Sequence, residues 1–310
     1  MQKNSCVICA GRLVLKLDHV HDTRFGIVYP YSVFQCEQCD LEQTIPLPTQ
    51  VELNGLYEQY YNFSGERNTR YTKLRGLFLN SALYRLWLLI DGDIAFQTLK
   101  GSGRLLDVGC NEGRGLEFFR RNGFDSEGLE LNSHAAEIAR SKGFIVHTST
   151  LEDVHLENKY DVIVLSNVLE HSLNPATMLK AIHGLLNPGG RVCISCPNNQ
   201  SWLCKAFGRF WINWHVPFHL THFSKRTLSE LLVQNHFTIE KAQCATPALW
   251  VSHSIITRLF FIPGKVTSQL RSAPLVAGMI LLIRGIFFPF LWLGNLLGRG
   301  DCLVIVASKH

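Results

Sequence analysis

A buried strand that runs directly into a glycine-rich turn constrains the fold of this chain more than any other feature. Residues 105–115 read LLDVGCNEGRG, and the apolar residues that follow predict a helix. Glycine permits positive φ angles and lets a ligand approach the backbone, while the first turn of a helix offers unbonded N–H groups. A strand, a turn of this kind and a helix, in that order, predict a ligand-binding domain.

Three further apolar runs, at residues 126–131, 160–166 and 190–196, alternate with amphipathic segments. This alternation is typical of repeated strand–helix units around a mainly parallel sheet. Asn174 followed by Pro175 predicts the N-cap and first turn of the helix between the last two strands. The sequence therefore predicts an α/β fold. A coiled coil or a disordered chain is excluded, because 46% of the residues are hydrophobic and only 18% are charged.

Two carboxylates flank the glycine turn. Asp107 lies just before it, and Glu130 ends the next strand about 20 residues on, where an acid can accept hydrogen bonds from ribose hydroxyls. A dinucleotide site needs the spacing G-x-G-x-x-G, whereas the glycines here are Gly109, Gly113 and Gly115. Asp107 would repel phosphate and favour a cationic ligand, such as the sulfonium and ammonium groups of S-adenosylmethionine. A glycine turn that binds nothing is the remaining alternative.

Residues 107–113, Asp-Val-Gly-Cys-Asn-Glu-Gly, resemble the first motif of class I S-adenosylmethionine-dependent methyltransferases, and residues 160–171 (YDVIVLSNVLEH) resemble their fourth-strand motif. The resemblance implies a Rossmann-like, mainly parallel sheet with an antiparallel final strand. It assigns cofactor binding to Asp107, Gly109, Asn111, Gly113, Glu130, Leu131, Thr150, Leu151, Glu152, Ser166 and Asn167. The family usually has glycine at position 111, but asparagine tolerates left-handed backbone geometry. We therefore expect the turn to form.

Four cysteines near the N-terminus form two C-x₂-C pairs. They are Cys6, Cys9, Cys36 and Cys39. Two such pairs can complete a tetrahedral zinc site with no open position, so the zinc would be structural; free or disulfide-linked thiols are the alternative. This segment resembles the zinc ribbon of methyltransferases found with glycan-assembly enzymes. Cys193 and Cys196 share the spacing but lie within a predicted strand, where their side chains would point to opposite faces.

Two histidines are candidate bases, since methyl transfer to oxygen or nitrogen needs a group that removes the proton of the acceptor. His171 follows the fourth strand, at the carboxyl edge of the sheet where ligands bind. His219 lies in residues 214–224 (WHVPFHLTHFS), which resemble a family segment on the acceptor side of the pocket. A structural role is the alternative for each, and a metal site of His215, His219 and His222 is not favoured.

Residues 246–300 are the most apolar part of the chain and contain five basic and no acidic residues, against a net charge of +5 for the whole. The run 273–298 is long enough to span a bilayer, but Arg284, Pro289 and several glycines argue against a simple crossing. We expect contact with an anionic membrane surface through residues 250–298. A helical cap or a dimer interface is the alternative.

These features divide the chain into a zinc ribbon (1–50), a helical linker or lid (51–100), a methyltransferase domain (101–245 and 301–310) and an apolar basic insert (246–300). The N-terminus has no apolar run, so we expect a cytoplasmic protein, peripheral on the cytoplasmic face of the membrane. The expected activity is S-adenosylmethionine-dependent O-methylation of a small-molecule, glycan- or lipid-linked acceptor. An RNA methyltransferase, against which the balanced charge of the remaining chain argues, and an inactive membrane-associated scaffold are the alternatives.

Overall fold

The computed structural model describes residues 5–60, 78, 81–154 and 156–310. Its strands and longer helices follow in chain order: β1 (Leu13–Val20), β2 (Tyr31–Cys36), β3 (Glu42–Ile45), α1 (Gln50–Tyr60), α2 (Ala82–Asp91), β4 (Arg104–Val108), α3 (Arg114–Arg121), β5 (Asp125–Leu129), α4 (Ser133–Ser141), β6 (Val146–His147), β7 (Tyr160–Ser166), α5 (Pro175–Leu185), β8 (Leu186–Pro197), α6 (Trp202–Phe207), β9 (Thr221–His222), α7 (Lys225–Gln234), β10 (Phe237–Ala245), α8 (Ala248–Phe260), α9 (Ala273–Leu296) and β11 (Cys302–Lys309). Residues 61–77 and 79–80 of the predicted helical linker lie outside the described residues.

The larger of two sheets has seven strands in the order β10-β11-β8-β7-β4-β5-β6. Its strands from β4 to β8 pair in parallel, whereas the final strand β11 pairs antiparallel with both β8 and β10. This topology confirms the predicted fold class. Strand β4 lies between β5 and β7. The chain continues from β4 to β5 on one side and later reaches β7 on the other, so the strand order reverses between β4 and β7. The carboxyl ends of these two strands border the crevice where such sheets bind ligands.

Local sequence signals account for several of these elements. Asn174 caps α5, because its side chain accepts the N–H of Thr177, and Pro175 occupies the first turn as predicted. Cys193 and Cys196 on β8 belong to core clusters on opposite faces of the sheet, which confirms that they cannot share one metal. The second predicted strand ends at Leu129, so Glu130 lies in the loop beyond it.

The smaller sheet joins the N-terminal segment to the α/β domain. Its order is β1-β2-β3-β9, so its fourth strand comes from residues 221–222, far along the chain. Cys36 and Leu41 also pack in the same hydrophobic cluster as Leu106 of the large sheet. The N-terminal segment is therefore built into the domain, which the sequence pattern did not reveal.

The insert forms two packed helices, α8 and α9, between β10 and β11. Helix α9 is continuous over 24 residues despite Pro289. Arg284, in its middle, turns inward and donates to Asp91 Oδ1 at 2.7 Å and to the carbonyl of Thr246. By length and composition alone, α9 is the one helix in the described part of the chain that could cross a bilayer. Because β10 and β11 pair with each other, both ends of the insert return to one edge of the sheet.

Candidate active site

The glycine turn between β4 and α3 has the geometry that its sequence predicts. Gly109 and Gly113 have φ angles of 71° and 78°, and an added Cβ would meet Val168 at 2.8 Å or Ala139 at 2.9 Å. Asn111 adopts φ 51°, and its side chain accepts the N–H of the next residue at 2.8 Å. The turn therefore forms with asparagine at position 111, as expected from the tolerance of this residue for left-handed geometry.

The two predicted acids lie together at this edge of the sheet. Glu130 accepts the backbone N–H of Asn111 at 2.9 Å and that of Asn132 at 2.8 Å. Burial raises the pKa of Glu130, and burial together with the nearby Glu130 raises the pKa of Asp107 to about 7. A Cβ at Gly115 would lie 2.6 Å from Asp107 Oδ2, so glycine there makes room for the carboxyl group. A buried acid beside a half-buried acid that repels it suits a cationic ligand.

Thr150, Leu151 and Glu152, which the resemblance assigns to cofactor binding, lie in the turn after β6, beside the strand that leads to Glu130. Thr150 Oγ1 donates to Asp153 Oδ2 at 2.7 Å, which fixes this turn. Leu151 is buried, whereas Glu152 and Leu131 are exposed. The structure thus places Leu151 where an apolar ring could pack, and leaves the other two side chains at the rim.

Ser166 and Asn167 lie at the end of β7, beside the glycine turn. The Ser166 hydroxyl donates to the carbonyl of Ile94 at 3.1 Å. Asn167 has φ 56°, and its Oδ1 is buried without a hydrogen-bond partner in the described part of the chain. Such an acceptor is costly unless a ligand donates to it. The ammonium group of S-adenosylmethionine is a donor of the kind that Asn167 would need, so the residues at this edge fit that cofactor.

The two candidate bases contact each other. The rings of His171 and His219 lie edge to face with centroids 4.6 Å apart. The hydroxyl of Tyr57 lies 2.7 Å from His171 Nδ1, and His219 Nδ1 donates to the carbonyl of Asn213 at 2.8 Å, which leaves its Nε2 as an acceptor. Burial lowers the pKa of His171 to about 4 and that of His219 well below its ordinary value. Both rings are therefore neutral at pH 7.

Glu170 and Tyr57 also belong to this cluster, although sequence reasoning did not assign them. Glu170 Oε1 lies 3.9 Å from His219 Nε2, and both its carboxyl oxygens are buried without a hydrogen-bond partner among the described residues. Burial raises the pKa of Glu170 to about 8. The position of Glu170 next to His171 was a usable signal, whereas Tyr57 is 114 residues away in sequence and gave none.

The potential ligand atoms of Glu170, His171 and His219 lie within 4.8 Å of one another, a spacing that would also suit a metal ion. The alternative set of His215, His219 and His222 does not form, because His222 Nε2 lies 3.0 Å from Thr44 Oγ1 in the smaller sheet. The compact group at this edge is therefore one acid and two histidines.

The four N-terminal thiols converge as predicted. The distance from Cys6 Sγ to Cys39 Sγ is 3.5 Å, that from Cys9 Sγ to Cys36 Sγ is 3.4 Å, and all four sulfur atoms lie within 4.8 Å. Tetrahedral zinc with bonds of about 2.3 Å would separate its sulfur ligands by about 3.8 Å. The residue after each pair, Ala10 or Asp40, has φ 58°. Two matching turns thus present a Cys₄ set that fits zinc.

The strand order, the glycine turn and the acid in the loop directly after β5 define a class I S-adenosylmethionine-dependent methyltransferase. A family profile described as "Methyltransferase domain" matches residues 85–242, which is half of the chain. The chain belongs to this family of methyltransferases.

Individual relatives match the chain over a region slightly shorter than the one that the family profile matches. The chain is 30% identical over 141 residues to the ubiquinone biosynthesis O-methyltransferase of Photorhabdus laumondii, and 30% identical over 140 residues to that of Serratia proteamaculans. These matches cover 42% and 41% of this chain and 58% of each relative. The chain thus spans little more than half the length of these relatives.

Among solved structures, the 1,6-didemethyltoxoflavin-N1-methyltransferase of Burkholderia thailandensis, with bound 1,6-didemethyltoxoflavin and S-adenosylhomocysteine, is similar in fold. The match has a TM-score of 0.51 at 18% sequence identity and covers 95% of this chain and 99% of the other. At this level of identity the likeness shows the shared fold.

Proposed function

We propose that this methyltransferase transfers a methyl group to an oxygen of a small-molecule acceptor that is linked to a glycan or a lipid. The observation that carries the proposal is the pair of neutral histidines, His171 and His219, at the carboxyl edge of the sheet beside the glycine turn. An acceptor hydroxyl must lose its proton as the methyl group arrives, and a neutral imidazole within reach can take it. The relatives named as O-methyltransferases support oxygen as the acceptor atom.

His171 is the better placed of the two to act as the base. It is only partly buried, whereas His219 is 6% exposed and its Nδ1 is committed to the carbonyl of Asn213. Tyr57, at 2.7 Å, orients the His171 ring. In this assignment His219 packs against the His171 ring, which is also hydrogen-bonded to the backbone of Phe218, and the acceptor hydroxyl gives its proton to the unprotonated nitrogen of the neutral His171 ring.

The acceptor can be identified by comparing cells with and without the gene through untargeted mass spectrometry of polar lipids and nucleotide sugars. We expect a species one methylene heavier that appears only when the gene is present. With that acceptor, His171→Ala should lower kcat by about 10²–10⁴-fold, the usual loss of a general base. His134→Ala, at an exposed position on α4, is the matched control. Full turnover by both His171→Ala and His219→Ala would refute the proposed chemistry.

We further propose that the Cys₄ set holds structural zinc and that Asp107, Glu130 and Asn167 bind S-adenosylmethionine. The sulfur spacing supports the first assignment. The second is supported by the two neighbouring acids and by Asn167 Oδ1, which has no hydrogen-bond partner among the residues that the structure describes. The cofactor supplies the methyl group, while these residues hold and orient it. Titration with S-adenosylhomocysteine tests the cofactor site: absence of heat at millimolar ligand would contradict it.

We also propose that the insert rests on the cytoplasmic face of an anionic membrane. The inward turn of Arg284 leaves the outer face of α9 without charge. The exposed apolar side chains of this face are Leu281, Leu282, Ile286, Phe287, Phe290, Trp292, Leu293 and Leu296. Basic residues with no acidic ones in the same segment complement anionic headgroups.

Vesicle flotation tests the membrane proposal. We expect the protein to float with vesicles that contain phosphatidylglycerol and to remain unbound with pure phosphatidylcholine. A double variant, Ile286→Glu with Phe290→Glu, should stay unbound, whereas Val233→Glu, at an exposed apolar position on α7, should float like the wild type. If the double variant is instead a monomer where the wild type is a dimer, and still floats with the vesicles, the outer face of α9 is an interface between copies and the proposal is wrong.

Salt-dependent binding to RNA would favour the alternative of an RNA methyltransferase. The charge of the chain argues against it, because all of the +5 excess lies in the apolar insert. An inactive scaffold is the other alternative, and the glycine turn argues against that, since Asn111 adopts the required backbone geometry.

A further inference from the structure

A cavity of about 330 Å³ lies where three distant segments of the chain meet. It is lined by Asp40 beside the Cys₄ set, by residues 224–226 at the start of α7 and by residues 298–299 after α9. This lining is distinct from the residues assigned above to the cofactor and to the histidine cluster. The volume is near the lower end of the roughly 300–1,000 Å³ typical of ligand pockets, so it suits a small ligand. The other lining residues are polar, namely Gln35, Asn198 and Gln200.

Hydrogen bonds of one buried lining residue fix the shape of this cavity. Asn198 is fully buried, and its Nδ2 donates to the carbonyl of Gly298 at 3.3 Å and to that of Gly300 at 2.8 Å. Its Oδ1 accepts the N–H of Gln200 at 3.1 Å. The carbonyl of Gln200 in turn accepts a hydrogen bond from Arg299 Nη1 at 3.3 Å. The segment after α9 is thereby fixed to the end of β8, together with the guanidinium that it carries.

The charged side chains of the lining give it a formal net charge of +2, since they are Lys225, Arg226, Arg299 and Asp40. Arg226 pairs with Asp40 at 2.8 Å and with Glu230 of its own helix at 3.4 Å. Among the residues that the structure describes, Lys225 and Arg299 form no ion pair with a carboxylate. Two of the three cations of the cavity therefore lack an acidic partner there.

These two cations lie near the same wall of the cavity. The thiol of Cys244 is 3.9 Å from Nδ2 of the lining residue Asn198. Burial raises the pKa of Cys244, whereas a backbone hydrogen bond of Gly300 and the charges of Lys225 and Arg299 oppose this rise. Both charges thus act at one point behind the cavity, although the residues that carry them are 74 positions apart in sequence.

We propose that this cavity binds a phosphate group, held between Lys225 and Arg299. A guanidinium presents a planar set of donors that matches phosphate oxygens, and a lysine ammonium supplies a compact positive charge. A phosphate monoester carries about −1.5 to −2 charges at pH 7, which matches the net charge of the lining, whereas a single carboxylate carries only one. The positive end of the dipole of α7, which begins at the same cavity, adds to the attraction. The inference does not depend on the acceptor of methyl transfer.

Two sources of phosphate fit this position. One is a free phosphate ester in solution. The other is the headgroup of an anionic lipid, because Leu296 and Leu297, which are exposed at the end of α9, directly precede the lining residues 298–299. Both sources present the same chemical group to the two cations.

Calorimetric titration of the full-length protein with glycerol 3-phosphate tests the inference. The double variant Lys225→Gln with Arg299→Gln should bind it about tenfold more weakly or worse, the loss expected for charge-assisted hydrogen bonds. Lys225→Arg should retain most of the affinity, because it keeps the charge. The matched control is Lys180→Gln with Arg85→Gln, which removes two exposed charges on α5 and α2 and should leave the affinity unchanged.

Each variant should keep its Tm within about 2 °C of the wild type, since all the substituted side chains are exposed. Unchanged affinity in the double variant, or no binding by the wild type at millimolar ligand, would overturn the inference. Malonate also carries two negative charges. If it binds as tightly as glycerol 3-phosphate, with the same loss in the double variant, the assignment to phosphate is wrong.

Flotation with vesicles that contain phosphatidic acid distinguishes the two sources. If the cavity takes a lipid headgroup, the double variant should float less than the wild type, and glycerol 3-phosphate should compete with the vesicles. If it takes a free ester, the double variant should float like the wild type while it loses affinity for glycerol 3-phosphate. Each of these results supports the phosphate site. Failure of the membrane proposal is seen separately, in the flotation of the variant with Ile286→Glu and Phe290→Glu.

Discussion

Glu130 Oε2 accepts the backbone N–H of Asn111 at 2.9 Å, so the acid predicted to bind the ribose also fixes the left-handed residue of the glycine turn. Its other oxygen accepts the N–H of Asn132, the N-cap of α4. A single carboxylate therefore joins the turn after β4 to the loop after β5. In the proposed assignment, binding of the cofactor and the shape of its loop depend on the same group.

Replacement of Glu130 by glutamine should weaken cofactor binding. The amide would direct an N–H towards one of the two backbone N–H groups that the carboxylate now accepts, and one ribose acceptor would be lost. We expect the Kd for S-adenosylhomocysteine to rise about tenfold, as for a hydrogen bond to a charged group. Calorimetry measures this directly. Glu137→Gln, at an exposed position on α4, should leave the Kd unchanged, and equal affinity for both variants would contradict the role of Glu130.

Replacement of Cys36 by serine should remove zinc and also destabilise the methyltransferase domain. Cys36 packs in the same core as Leu106, and β3 pairs with β9. We therefore expect zinc well below one equivalent and a Tm lowered by about 5 °C or more, which corresponds to roughly 2 kcal/mol in a chain of this size. Elemental analysis and thermal unfolding provide the two readouts. Cys193→Ala should retain its zinc; a full equivalent in Cys36→Ser would rule out the site.

Removal of Arg284 should cost more stability than its place in an apolar helix suggests. Its guanidinium donates to Asp91 Oδ1, and both side chains are largely buried. Arg284→Met leaves Asp91 without its cation, a change that typically costs about 3–5 kcal/mol. Urea unfolding should show this loss, and the double variant Arg284→Met with Asp91→Asn should recover most of it. A loss below about 1 kcal/mol in the single variant would show that the pair is not important for stability.

Local patterns predicted the parts of this molecule that depend on near neighbours in sequence. The sheet, the turn at residues 109–113, the cap at Asn174 and the opposed faces of Cys193 and Cys196 all follow from periodicity, glycine placement or capping. Each of these signals lies within one strand, helix or turn. That is why the fold class and the carboxyl edge of the sheet could be located without coordinates.

Contacts between distant segments could not be predicted in this way. Tyr57 meets His171 across 114 residues, and Arg284 meets Asp91 across 193. In the sequence, Arg284 was an obstacle to a membrane span, whereas in the structure it anchors α9 to the end of α2. A single charge in an apolar run carries no information about its partner, so the partner appears only when the chain has folded.

Replacement of Glu170 by glutamine should change how stability depends on pH. In the folded protein burial raises the pKa of Glu170 from an ordinary 4.5 to about 8. Between these values the unfolded chain has released this proton while the folded chain retains it, so the wild type loses stability as pH rises. Glutamine cannot titrate. The free energy of unfolding of the Glu170→Gln variant should therefore rise relative to that of the wild type by up to about 1.4 kcal/mol per pH unit, up to about pH 8. The buried histidines titrate in both proteins, so their contributions cancel in the difference between the two free energies of unfolding. Urea unfolding at pH 6, 7 and 8 measures this difference in free energy, and Glu137→Gln is the exposed control. If the free energies of unfolding of the wild type and of Glu170→Gln change with pH in parallel, Glu170 is already ionised in the folded state. It then cannot help to keep the cluster neutral.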